Sequence, residues 1–245
     1  MRFSVPKPLH GWRGFVGEVG IIVLGVLIAM AAQQWAQDRS DREQVDTALA
    51  ALKVEIKDHV DHAVEIETVA PCVGAQIDAI EQRLARGEGT IPRYTDNVVR
   101  SFFVLRMPSR SWSSSAWESV KAVDTLRRQQ PALANRIYNY YGQVGEQHET
   151  TIRSASLNAR LNALATMMPS ASERLHFVEI AEELRDDVAS LDLVAGQTLD
   201  TLAKARLLPA LPDRATLRKH SGTLRFCETH GLVLAPVRAP NPQEG

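Results

Sequence analysis

The chain has 245 residues, 44% of them hydrophobic and 23% charged, with a formal net charge of −1. That composition belongs to a folded protein of one or two domains and excludes a collagen-like, disulfide-dense or wholly disordered chain. The balanced charge provides no basic field to gather phosphates, and an aromatic content of 6% offers little for base stacking, so no nucleic-acid partner is expected.

From Phe15 to Trp35 the sequence reads FVGEVGIIVLGVLIAMAAQQW, with no charged or strongly polar side chain between Val19 and Ala32. At about 1.5 Å rise per residue a helix over this stretch is roughly 31 Å long, the hydrocarbon thickness of a bilayer. Trp12 and Trp35 flank it as interfacial anchors. Arg2, Lys7 and Arg13 precede it, whereas Arg39 and Arg42 follow among Asp38, Asp41, Glu43 and Asp46. The lysine and arginine bias orients the N-terminus inward. The expectation is a single-pass protein of the bacterial inner membrane: residues 1–14 cytoplasmic, 15–36 transmembrane and 37–230 a helical periplasmic domain, with 231–245 a disordered tail. The same stretch also has the parts of a secretory signal, with Ala29-Met30-Ala31 before a cleavage point at Ala32. Both readings export the remainder.

Within the span, Glu18, Gly25, Ala29 and Ala32 fall inside an arc of about 60° on a helical wheel. Small residues at that spacing let helices approach closely, so this face is a candidate for self-association into a homo-oligomer within the lipid bilayer. The alternative is that Glu18 snorkels to the headgroups.

Beyond Trp35 the pattern is helical. Val45, Leu49, Leu52, Ile56, His59, Ala63, Ile66 and Ala70 form an apolar stripe, with Lys53, Glu55, Lys57, Asp58 and Asp61 as its solvated face. Pro71 is expected to break this helix and open a second one from about Cys72 to Arg86. The segment from Thr90 to Ser115 is irregular, with Val98 to Leu105 apolar enough for a short helix or strand. A third helix is expected from Ser115 to Arg128. A fourth runs from Pro131 to Met168, weakened at Gly142 and Gly145, where it kinks or splits. Ser170 and Glu173 have capping-box spacing and open a fifth helix whose inward face is Leu175, Val178, Ala181, Leu184, Val188, Leu191, Ala195, Leu199 and Leu202. A short helix follows Asp213. The fold class is all-α, a transmembrane helix followed by an amphipathic helical bundle.

Two cysteines in an exported chain point to one disulfide, Cys72 to Cys227. Asp58-His59-Val60-Asp61-His62 is the most metal-like string, with Glu55 one turn before it. On the far side Ile66 cannot ligate and Glu65 points away, so His59 is read as core-edge, His62 as exposed, and no metal residue is assigned. No phosphate loop, nucleophile elbow or kinase set is present, so no catalytic residue and no cofactor is assigned. Trp112 and Trp117, with Arg110 nearby, are a candidate ligand groove, or else pack a loop onto the helical core.

Trp12-Arg13-Gly14-Phe15-Val16-Gly17-Glu18 leading into VGIIVLGVLIAMAAQQW resembles the opening of a group of proteobacterial proteins with one N-terminal membrane helix and a helical periplasmic domain. Pro71-Cys72, Pro108 to Trp117 and the late cysteine also resemble that group. The resemblance implies anchoring and the disulfide, and no activity. The function expected is a scaffold or partner-binding protein with an unidentified protein partner; the alternative is a periplasmic ligand-binding or sensor domain.

Overall fold

The computed structural model describes residues 12–88, 90–96, 101–122 and 125–239. It is all-α apart from one short ribbon, and its chain divides into two compact units, Met1–Leu49 and Ala50–Gly245. The long helix α1 (Trp12–Arg86) provides the described part of the first unit and the central helix of the second. In the first unit an 18-residue apolar window has mean hydropathy 2.4 and none of it is buried. After Trp35 the surface becomes polar, laced by Gln34–Asp38, Gln37–Asp41 and Arg39–Glu43 contacts one turn apart.

The second unit is a bundle built on the C-terminal part of α1, with α4 (Pro131–Leu161) and α5 (Ala171–Lys204). Gln147 reaches the Leu191 carbonyl at 3.2 Å and Arg153 binds Asp187, so α4 and α5 are antiparallel. Between them lie a 3₁₀ turn, Asn162–Ala165, and the predicted capping box, in which Glu173 N–H donates to Ser170 Oγ and Ser170 N–H donates to Glu173. Most of the expected inward face of α5 is buried, from Ala181 and Leu184 through Leu191, Ala195, Leu199 and Leu202, but its N-terminal half departs from the pattern: Phe177, Ile180 and Asp187 are buried, whereas Leu175 is 69% exposed. Asp187 turns inward because Arg153 and the Ser154 hydroxyl meet it there.

Pro71 does not end a helix, and α1 passes through it. Proline removes one N–H and crowds the carbonyls of the preceding turn. Three residues upstream of it, the Thr68 carbonyl accepts from the Ala235 N–H at 3.0 Å. The chain expected to be disordered from 231 is therefore laid against α1 as far as Arg238, which pairs with Glu67 at 3.1 Å and with Asp200; residues 240–245 lie outside the described residues. Gly142 and Gly145 likewise leave α4 unbroken.

The smaller elements are β1 (Tyr94–Asp96) paired antiparallel with β2 (Ser101–Phe103), α2 (Ser115–Ala122), α3 (Thr125–Gln129), α6 (Arg214–His220) and α7 (Gly222–Thr229). The third expected helix, Ser115 to Arg128, is helical in its described residues, over α2 and α3. Asp213 caps α6 by accepting from Thr216 N–H, and Ser221 caps α7 by accepting from Leu224 N–H. The disulfide joins Cys72 on α1 to Cys227 on α7, with both side chains fully buried and a Cα–Cα separation of 6.1 Å.

Candidate functional site

Between residues 50 and 86, α1 has no single solvated face. Val60, Ala63, Val64, Ile66, Val69 and Val73 are all buried, on more than one side of the helix. The polar residues of that segment are consequently enclosed as well: Glu55, His59, His62, Glu65 and Gln76 are each less than 9% exposed. Their spacing places them along one drifting seam. Glu55 is thus not part of a solvated face, and His62, at 2% exposure, is not a surface histidine.

An extended strap, residues 104–114, covers this seam and explains why it is polar. Gln76 pairs with Arg106 in both directions, accepting its N–H at 2.7 Å and donating to its carbonyl at 3.0 Å. Glu65 holds Arg110 at 3.0 Å. Trp112 stacks on His62, with ring centroids 4.6 Å apart, and tilts against His59. At the far end Glu55 accepts from the hydroxyls of Ser113 and Ser115 and from Ala116 N–H at 2.9 Å, which closes the N-terminus of α2. Asn158 of α4 donates to the Leu105 carbonyl, and Asn162, at the start of the 3₁₀ turn, accepts from Val104 N–H. The side-chain amides of Gln76, Asn158 and Asn162 do for the strap what a neighbouring strand does in a sheet. The lengths agree: Gln76 to Glu55 along a helix covers about 30 Å, and Arg106 to Ser114 in extended chain about 26 Å before α2 begins.

Behind the seam lie two buried tyrosines of α4. Tyr141 donates to Glu55 at 2.5 Å, and Tyr140 shares a 2.6 Å hydrogen bond with His59 Nδ1. Burial, with the Glu55 carboxylate beside them, holds both phenols protonated by raising their pKa. Burial lowers the pKa of His59 against the pull of Glu55, and lowers that of His62 to about 3 with help from Arg110 and His59. Burial raises that of Glu65 against the hydrogen bond of Ser221 and the charge of Arg110. The histidines are neutral at pH 7. Among the described residues no group of three His, Cys, Asp or Glu side chains is placed to hold a metal ion.

On its other side the strap borders an open groove. Trp112 and Trp117 line it together with Tyr138, Tyr141, Gly142 and Gly145 of α4, around a cavity of about 340 Å³. Lys121, which is bound to Glu118 at 2.7 Å, and His148 complete its rim. Trp117 stacks flat on Tyr141, with centroids 5.1 Å and planes 9° apart. The two tryptophans pack strap and helix onto the core and also line this groove. Arg110 does not join them, because Glu65 on the far side of the strap holds it. A Cβ on Gly142 or Gly145 meets nothing within 4 Å, so neither glycine is required by the chain's own packing, although each costs about 1 kcal/mol relative to alanine in a helix.

Comparison with protein families, with curated proteins and with solved structures found no match. Glu18, Gly25, Ala29 and Ala32 lie on exposed helix in the first unit, where a Cβ on Gly25 meets no neighbour. Sequence reading missed the seam and the strap. One signal was available: a helix whose apolar residues occupy two faces leaves no side for water, so the charges between them need partners from elsewhere in the chain.

Proposed function

We propose that this is a membrane-anchored protein of the bacterial inner membrane whose helical domain lies in the periplasm and serves as a scaffold or partner-binding module. The carrying observation is the pairing, in one chain, of an unburied apolar helical stretch of bilayer length with a buried disulfide between Cys72 and Cys227. An exposed apolar surface of that size calls for lipid or protein cover, and disulfides persist in oxidising compartments. The buried titratable groups favour a structural role over catalysis: Glu55, Glu65 and the two histidines are occupied in holding the strap and α4. The partners proposed are the bilayer, a second copy through the Glu18/Gly25/Ala29/Ala32 face, and an unidentified protein.

The test is the intact mass of protein recovered from membranes, alkylated with and without reductant. Full-length mass with two thiols protected until reduction is expected, followed by crosslinking to find partners. A soluble product lacking the first 31 residues would remove the anchor and leave a signal sequence, and thiols alkylated without reductant would remove the oxidising compartment.

A second reading, a ligand-binding domain, is favoured by the groove itself. Its volume of about 340 Å³ and its aromatic walls with polar groups at the rim are of the kind that hold small molecules.

A further inference from the structure

Resting on the partner-binding reading, we propose that the C-terminal segment occupies, in cis, the docking site for the protein partner. The site is the strip of α1 and α5 around Thr68, and the partner that fits it presents an extended chain with an arginine three residues beyond a free backbone N–H. The side of a helix seldom offers backbone to an extended chain, because its carbonyls are bonded within the helix. Pro71 makes the exception here: it has no N–H to return to the preceding turn and crowds the carbonyls there. The Thr68 carbonyl accepts from outside the helix, from the Ala235 N–H at 3.0 Å. Three residues along the tail, Arg238 reaches Glu67 at 3.1 Å and also Asp200 of α5. The two helices are close at this point, since a Cβ on Gly196 of α5 would stand 3.0 Å from Glu67 Oε1. One backbone N–H and one guanidinium are therefore read together, at a fixed spacing.

The charge of the strip selects a basic ligand. Burial, with the nearby charges of Asp192 and Asp200, raises the pKa of Glu67 against the pull of Arg238, and burial raises that of Asp192 as well. Three carboxylates thus share one arginine, an arrangement that attracts cationic segments and repels acidic ones. The tail is held in a way that permits exchange. None of residues 231–239 is buried, and Val233 is 68% exposed. Pro236 has no N–H to give, and among the described residues the tail's polar attachments to α1 and α5 are the Ala235 bond and the Arg238 pairs. Exposed segments with so few attachments open far more readily than the fold as a whole. The root stays in place when the tail lifts, because the Cys72–Cys227 disulfide pins α7 and Leu232 N–H closes that helix on the Cys227 carbonyl at 3.0 Å. Gly231, at φ +64°, turns the chain out of α7.

The experiment is fluorescence anisotropy of a labelled peptide, LVLAPVRA, the sequence of residues 232–239, titrated with the full chain in detergent micelles. The Arg238→Glu chain, whose own tail is repelled from the carboxylates, is expected to bind the peptide saturably and at least tenfold more tightly than wild type, where the tethered tail competes at a local concentration on the order of millimolar. Should Arg238→Glu lower the thermal midpoint, Ala235→Pro, which deletes the N–H to Thr68, is the second unlatched chain and is expected to behave alike. Adding Pro71→Ala to either, which returns an N–H to the α1 ladder, is expected to weaken the peptide several-fold without lowering the midpoint. A peptide with glutamate in place of its arginine is expected not to bind. Equal binding by wild type and unlatched chains overturns the proposal, as does equal binding of the glutamate peptide or an affinity that Pro71→Ala leaves unmoved. Absence of binding overturns it too, and leaves standing the anchored scaffold, which is tested by intact mass. Wild-type oligomers that Arg238→Glu dissolves would make a second copy the occupant and overturn the assignment to a different protein.

Discussion

His62 makes the domain acid-sensitive, and the size of the effect follows from its surroundings. The imidazole is 2% exposed, stacked on Trp112 and faced by Arg110 and His59, and its pKa falls from 6.5 to about 3 on folding. Below pH 6.5 the unfolded chain binds a proton there that the folded chain refuses, so stability declines as pH falls from about 6.5 to about 3. Between pH 7 and pH 4.5 this one group removes roughly 2.5 kcal/mol, at about 1.36 kcal/mol per pKa unit. Glu65 works in the opposite sense, since its raised pKa lets the folded state take up a proton more readily than the unfolded one, and His59 adds to the loss. The comparison that isolates His62 is His62→Phe, which keeps an aromatic ring on Trp112 and cannot titrate. Urea unfolding of wild type and variant at both pH values, with the disulfide intact, should show the wild type losing about 2 to 3 kcal/mol more on acidification. Equal losses would mean that His62 is protonated in the folded state and that the strap does not seal it from water.

Three further outcomes follow from the same geometry. Glu55→Ala leaves the Tyr141 hydroxyl and the Ala116 N–H without their acceptor and should cost about 3 to 5 kcal/mol; Glu55→Gln, which can still accept from Ala116 while donating to Tyr141, should cost less than half of that in the same unfolding assay. Removing the disulfide as Cys72→Ala with Cys227→Ala frees a loop of sequence separation 155, worth up to about 5 kcal/mol by chain entropy and visible as a lowered urea midpoint. Gly142→Ala and Gly145→Ala should each stabilise the domain by about 0.5 to 1 kcal/mol, because the new methyl group meets no atom within 4 Å while helix propensity rises; a lower thermal midpoint would show that the backbone there needs glycine.

The helices were legible wherever a local signal sufficed. Ser170 with Glu173 and Asp213 before α6 each act within a few residues, and each is where the pattern placed it; α4 starts at Pro131 as expected but ends at Leu161, short of the expected Met168, where a 3₁₀ turn takes over. The errors share a cause. Pro71 looked like a terminator, yet Ala235, far along the chain, supplies a hydrogen bond to the turn beside it. Glu55 and His62 looked solvated because their cover, the strap through Trp112 to Ser114 that leads into α2, contains no regular element that periodicity can reveal. Of the groove, Trp112 and Trp117 were visible as an aromatic pair around a serine run. Tyr138, Gly142, Gly145 and His148 were not, since glycines in a helix read as weak points until the space above them is seen.

The place of α1 in the chain sets the order in which the domain can assemble. Its central segment is the first part of the bundle to be synthesised and is enclosed on nearly every side in the finished fold. The pieces that enclose it arrive late: Tyr141 is 86 residues after Glu55, Cys227 is 155 after Cys72, and Arg238 is 171 after Glu67. Until they emerge, the extensively buried segment of α1 lacks these partners. High sequence separation of this kind slows folding and prolongs the exposure of sticky surface. A chain truncated before α7 would therefore lose more than its tail: it would bare the side of α1 around Cys72, Thr68 and Glu67, and aggregation or proteolysis in place of partial function is its expected fate.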